Sequence, residues 1–185
     1  MISEIVTDAT HKMAGAVEHT REEFAAIRTG RAHPAMFNKL LVDYYGAPTP
    51  LQQLATFQVP EARTVLITPF DRGAMAGIEK AIRDSDLGVN PANDGNVVRI
   101  VLPQLTEERR KEYIKLAKSK AEEGRVSVRN IRRHAMEGVH KLLKDKEIGE
   151  DDSRGAEKQL DAVTKKHTDI VDELLKAKEA ELLEV

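Results

Sequence analysis

Between Leu105 and Lys146, apolar and small residues recur at alternating steps of three and four: Ile114, Ala117, Ala121, Gly124, Val128, Ile131, Ala135, Gly138 and Leu142. That is a heptad seam, the pattern of a helix packed along its whole length. At about 1.5 Å per residue the helix would be roughly 60 Å long. Few globular domains need such an element; a long lever or a surface-spanning probe does. Pro103 closes the extended run before it, Thr106 suits the N-cap, and Glu107 and Glu108 suit the positive helix end. The stop is expected near Gly149. One residue beyond the seam runs a second stripe, Lys111, Lys115, Lys118, Arg125, Arg129 and Arg132. One residue is about 100° of rotation, so a basic stripe flanks the buried face and offers cations to something outside.

Two other segments carry the same stepping. Ile2, Val6, Ala9, Met13, Ala16, Thr20, Phe24 and Ile27 predict a first helix ended by Gly30 and Pro34. Ala156, Leu160, Val163, His167, Ile170, Leu174, Ala177 and Glu181 predict a third, with Asp151 and Asp152 as dipole partners at its start. From Ala32 to Pro103 the texture changes, and all seven prolines fall there. Strands are expected at Lys39–Tyr45, Leu54–Val59, Arg63–Thr68 and Val97–Leu102, with a short helix capped by Asp71 that carries Met75, Ile78 and Ile82. Gly46-Ala47-Pro48-Thr49-Pro50 closes the first strand, and Gly88, Asn90-Pro91 and Asn93-Asp94-Gly95 read as turns. The fold class is therefore α+β: a long antiparallel three-helix bundle, residues 1–31 and 104–185, with a small α+β domain inserted at 32–103. Two chain crossings connect the parts, so a hinge is expected at Gly30, Arg31, Ala32, Pro103, Gln104 and Leu105.

The chain contains no cysteine, which excludes a disulfide framework and thiolate chemistry and fits a reducing cytosol. No apolar run is long enough to span a bilayer, and the amino terminus does not read as a secretory signal. Catalytic signatures are missing too: there is no phosphate-binding glycine loop, no nucleophile elbow and no paired-histidine metal motif. His167 falls on a helix seam and reads as a satisfied residue. The formal net charge of −2 hides an asymmetry. Residues 107–146 hold 13 Lys/Arg against 7 Asp/Glu, whereas 147–185 hold 6 against 12. Pairing of basic and acidic helices accounts for part of this. It leaves Arg125, Arg129, Arg132 and Arg133, a run from 124 to 136 with no acid among them. Arginine is a planar fork that binds phosphate at two points, and Arg129 and Arg132 stand one turn apart, about 5 Å along the axis. With no aromatic ladder for base stacking, shape and phosphate recognition of folded RNA fits best.

The runs Ile27-Arg28-Thr29-Gly30-Arg31-Ala32, Tyr44-Tyr45-Gly46-Ala47-Pro48-Thr49-Pro50-Leu51, Leu105-Thr106-Glu107-Glu108-Arg109-Arg110, Val128-Arg129-Asn130-Ile131-Arg132-Arg133 and Leu142-Leu143-Lys144-Asp145-Lys146-Glu147-Ile148 resemble the bacterial ribosome recycling factors. The similarity covers the whole chain, order and length included. Two positions depart from it: His134 stands where that family usually has an acid, and His33 where it has a small polar residue. The resemblance implies an L-shaped, two-domain monomer of roughly tRNA size that is not an enzyme. Such a protein works in the cytoplasm, binds the large ribosomal subunit and its 23S rRNA, and splits the post-termination ribosome with elongation factor G. It needs no cofactor, GTP being used by the partner, and binds neither DNA nor membrane. By the same resemblance the rRNA-contacting residues are Arg28, Arg31, Arg109, Arg110, Arg125, Arg129, Arg132 and Arg133.

Two other classes remain open from the sequence. One is a helical adaptor or co-chaperone that binds proteins through apolar positions, with weak salt dependence. The other is an enzyme whose site lies in the α+β insert, where Asp71, Arg72 and Arg99 are the mixed polar set.

Overall fold

The computed structural model describes residues 1–184. By contact density the chain divides into two compact units, Met1–Phe24 with Ile114–Ala180, and Ala25–Tyr113 with the chain from Glu181 onward.

The first unit is helical. It contains α1 (Ile2–Ala25) up to Phe24, most of α3 (Glu107–Lys144) and most of α4 (Glu150–Leu183). Contacts set the directions. Thr20 lies against Gly124 and Ile5 against Gly138, so α1 and α3 are antiparallel. Arg125 meets Asp172 and Arg132 meets Asp161, so α3 and α4 are antiparallel as well. One end of the bundle is filled by Ala9, Met136, Val139, Ala156 and Leu160, with Ile2, Ile5, Val6 and Ile131 packed around them. Further along, Ala117, Ala121, Gly124 and Val128 of α3 are buried with Met13, Val17 and Thr20 of α1.

The buried face does not keep a strict heptad. On α3 it runs Ala117, Ala121, Gly124, Val128 and then Met136 and Val139, one residue past the expected Ala135 and Gly138. On α1, Val17 is buried in place of Ala16, and on α4, Val171 in place of Ile170. An α-helix at 3.6 residues per turn drifts about 20° per heptad against a 3.5 repeat. Along α3 that drift builds towards the rotation of one residue, so the contacting face moves on by one position, whereas α1 returns to the expected Thr20 and Phe24 after Val17.

The helix ends also differ from expectation. Thr106 caps α3 as predicted, accepting from Arg109 N–H at 3.1 Å. The helix stops at Lys144, ahead of Gly149. Lys146 takes a left-handed φ of 60°, its N–H donates to Leu143 O, and Glu147 N–H donates to Leu142 O. Those two bonds form a Schellman ending with lysine in the position glycine usually occupies. Gly149 opens α4 instead, its N–H donating to Asp152. α1 ends at Ala25, short of Gly30, because Ile27 and Arg28 turn inward and are buried.

In the second unit, β1 (Leu41–Tyr44) pairs antiparallel with β2 (Ala47–Pro50) across Tyr45 and Gly46, whose φ angles are 51° and 81°. Two consecutive positive φ values make a type I′ hairpin turn, where glycine carries no strain. A second sheet, ordered β3-β4-β6-β5, contains β3 (Ala55–Glu61), β4 (Thr64–Pro69), β5 (Pro91–Asn93) and β6 (Val98–Val101), all antiparallel. Between β4 and β5 lies α2 (Met75–Arg83), entered through a 3-10 turn at Arg72–Ala74 that Asp71 caps by accepting from Gly73 N–H. Val65, Ile67, Val98 and Ile100 on one sheet face share a core with Ile78 and Ile82 of α2 and with Phe37, Val42 and Leu51. Two of these strands replace expected turns. β2 contains Pro48 and Pro50 and belongs to a two-stranded sheet, where proline N–H groups are not required for pairing on the free side. β5 is three residues at the sheet edge, begun by Pro91.

Candidate nucleic-acid interface

The basic stripe on α3 follows the seam by one residue, at Arg125 after Gly124, Arg129 after Val128 and Arg132 after Ile131. On α4 the same offset is acidic: Glu157 follows Ala156, Asp161 follows Leu160 and Asp172 follows Val171. The two flanks meet. Arg125 gives Nη1 to Asp172 at 2.7 Å, and Nε and Nη2 to Glu122 at 3.1 and 3.0 Å. All three of its nitrogens are occupied and its side chain is only 19% exposed. Arg132 donates Nε to Asp161 at 2.6 Å and has Nη2 3.8 Å from Glu157, leaving Nη1 without an ion-pair partner among the described residues on a side chain that is 31% exposed. Arg129 is 57% exposed and makes one long contact, Nη1 to Glu122 at 3.5 Å. Arg133 is exposed and makes no ion pair among the described residues. The expected row is thus graded, from Arg125 stapled to α4, through Arg132 held on one edge, to Arg129 and Arg133 facing solvent.

The other four arginines lie in the second unit. Arg109 is 58% exposed and contacts Glu112 at 3.4 Å. Arg31 is 80% exposed and 4.0 Å from Glu184. Arg110 is half-buried, donating Nη2 to Leu105 O while its buried Nε has no partner. Arg28 is not on the surface at all, being 6% exposed. It donates to Leu87 O at 3.3 Å and to Pro103 O, and its guanidinium meets the Tyr113 phenol. Burial lowers its pKa, Tyr113 works the other way, and the Arg109 charge adds to the lowering. A cation with so little solvent and two carbonyl partners is an internal strut. It ties the chain after α1 to the chain before α3.

The residues expected at the hinge are bonded into the same unit. Ala32 N–H donates to Ala62 O and Leu102 N–H to Arg63 O, both at 2.7 Å. Pro103 O receives Arg28, and Leu105 is buried with its carbonyl taken by Arg110. A methyl placed on Gly30 would lie 3.7 Å from Glu184 O, an ordinary contact. Gln104 is exposed.

The polar set in the insert is engaged locally. Asp71 accepts from Tyr44 OH at 2.6 Å, Tyr45 OH at 3.4 Å and Gly73 N–H at 2.8 Å. Its pKa is lowered, first by the Tyr44 hydrogen bond, and the same bond raises Tyr44 to about 12. Arg72 donates to Asn96 at 2.6 Å, and Arg99 lies on β6. His167 is buried and donates Nδ1–H to Val163 O at 2.8 Å, the satisfied state its seam position suggested. His33 caps the 3-10 turn that follows it, its Nδ1 accepting from Ala35 N–H. Among the described residues no group of three or more His, Asp or Glu side chains is placed to hold a metal ion, and no helix is long and apolar enough to cross a membrane.

The chain thus combines a bundle of long helices with a small antiparallel-sheet unit, and Arg129 and Arg133 are exposed on its longest helix. The family model described as "Ribosome recycling factor" matches residues 20–183, and the chain belongs to that family. It is 70% identical over 184 residues to the ribosome-recycling factor of Cutibacterium acnes, covering 100% of both chains, and 66% identical over 183 residues to that of Kocuria rhizophila, covering 99% of both. Among solved structures it is similar to a solution structure of the ribosome recycling factor, with a TM-score of 0.77, 41% identity and coverage of 100% and 98%. A second similar chain has a TM-score of 0.70, 42% identity and coverage of 100% of both chains. It comes from models of the T. thermophilus ribosome recycling factor and E. coli elongation factor G bound to the E. coli post-termination complex.

Proposed function

We propose that this chain binds the large subunit of the post-termination ribosome through 23S rRNA and, with elongation factor G and GTP, separates the particle into subunits for reuse. The observation that carries this reading is the run of guanidinium edges left open on α3 of a chain that matches the recycling family along nearly its full length. Phosphate contacts fall to Arg129, Arg132 and Arg133, with Arg109 at the start of α3 and Arg31 in the first connecting segment. Each contact releases condensed counterions and so makes binding salt-dependent. Arg28, Arg110 and Arg125 are committed to partners within the protein and serve its architecture instead.

The free energy for splitting comes from the partner's GTP, and the chain works in the cytoplasm as a monomer with no cofactor of its own. In this mechanism the α+β insert, residues 32–103, is the part the GTPase moves. The bundle is the part that transmits force, and its close α1–α3 contact at Thr20 and Gly124 favours stiffness. An adaptor that works through apolar contacts is less well supported, because the exposed large apolar residues of α3 are Leu116 and Val126, isolated among polar neighbours.

Sedimentation of 70S particles tests the proposal. Subunits should appear only when this protein, elongation factor G and GTP are all present. Splitting that proceeds equally without the protein would overturn it.

A further inference from the structure

Arg132 differs from the other stripe residues in how it is held. Its Nε is fixed by Asp161 at 2.6 Å, Glu157 stands beside Nη2 at 3.8 Å, and both acids come from the neighbouring helix. A carboxylate on the Nε side sets the plane of the guanidinium and leaves Nη1 without a carboxylate partner. Arg125, with carboxylates on all three nitrogens, has no such edge, and Arg129, with one contact of 3.5 Å, has no fixed plane. We infer that Asp161 is a positioning residue for rRNA binding: it orients the Arg132 fork so that Nη1 meets a backbone phosphate without first losing side-chain freedom. The inference rests on the rRNA-binding reading above and concerns one pair within it.

The sign of the effect separates this from simple electrostatics. An acid beside a phosphate-binding surface repels the ligand, so removing it should tighten binding, by about two-fold for a charge some 8 Å away in water. Positioning predicts the reverse. An arginine held in place before binding loses less rotamer freedom on contact, and a free one loses more. Asparagine keeps an acceptor oxygen for the Arg132 Nε–H, whereas alanine keeps none.

The experiment measures binding of the full chain to isolated large subunits across a salt series. The variants are Asp161→Ala, Asp161→Asn and Arg132→Ala, with the double variant Asp161→Ala/Arg132→Ala. Asp161→Ala should weaken binding about five-fold, within the coupling range of touching residues, and should not weaken it further, tightening it at most about two-fold, when Arg132 is already alanine. Asp161→Asn should restore most of the loss. The Asp161 side chain is 56% exposed, so circular dichroism and the unfolding midpoint should be unchanged in both Asp161 variants. Tighter or equal binding by Asp161→Ala overturns the inference, and so does an equal loss in the Arg132→Ala background. Wild-type binding that ignores salt would instead overturn the rRNA reading itself.

Discussion

Replacing Gly124 with alanine probes the contact that holds α1 against α3. The added Cβ would lie 2.3 Å from Thr20 Oγ1 and 3.3 Å from both Thr20 Cβ and Cγ2. Turning the threonine moves Oγ1 aside only by breaking its bond to Ala16 O. Thr20 is 2% exposed, and its hydroxyl donates to Ala16 O at 3.0 Å, so it has no open space to move into. The helices must separate or Thr20 must leave its rotamer. Such overpacking costs about 1–3 kcal/mol. Alanine in mid-helix returns about 1 kcal/mol relative to glycine. The net destabilisation is then about 0–2 kcal/mol, or a fall in Tm of up to about 8 °C for a chain of this size, and the coupling to Thr20 reads the clash directly. Urea unfolding followed by helical circular dichroism reads it. The double variant Thr20→Ala/Gly124→Ala relieves the clash and should be more stable than Gly124→Ala alone. A Gly124→Ala protein as stable as wild type, with no coupling to Thr20, would refute the reasoning.

Other outcomes follow from the same geometry. Arg28→Met leaves Leu87 O and Pro103 O without their donor and should cost about 2–3 kcal/mol in urea unfolding, the scale of a buried bond to a charged group. The salt slope of ribosome binding should not change in that variant; a slope reduced as in Arg129→Ala would return Arg28 to the RNA contacts. Tyr44 should ionise near pH 12 by ultraviolet difference absorption, and Asp71→Ala should bring it back towards 10. Because the folded protein holds this proton more tightly than the unfolded chain, the contribution of the bond is complete below pH 10 and is lost as pH rises towards 12. Asp71 acts at the other end: its pKa is lowered on folding, so its contribution is present above the ordinary carboxylate range and is lost as acid protonates it. Tyr44 ionising at 10 in the folded wild type would remove both statements.

Periodicity made the helices legible because each presents one apolar face over many turns, and the one-residue shift at Met136 and Val139 is the drift of a straight helix against a 3.5 repeat, whereas Val17 is a local departure after which α1 returns to Thr20 and Phe24. Short elements were less legible. β2 (Ala-Pro-Thr-Pro) is half proline and β5 (Pro-Ala-Asn) holds a proline and an asparagine, residues that usually mark turns, and they are held as strands by their partners β1 and β6. At the candidate interface the arginines were visible and their fates were not. A stripe on one helix says nothing about what faces it. The signal lay on α4, where Asp161 and Asp172 stand one residue past Leu160 and Val171 as the basic residues do past the α3 seam. Arg28 had no signal at all, since a cation after a helix reads as a dipole partner until the chain is seen to fold over it.

The central claim is that open guanidinium edges on α3 meet rRNA phosphates. The salt dependence of large-subunit binding tests it most directly, wild type against the triple variant Arg129→Ala/Arg132→Ala/Arg133→Ala. If each residue neutralises one phosphate, the slope of log K against log salt should become shallower by about 2–3 in total. An unchanged slope, with affinity retained, would contradict the account.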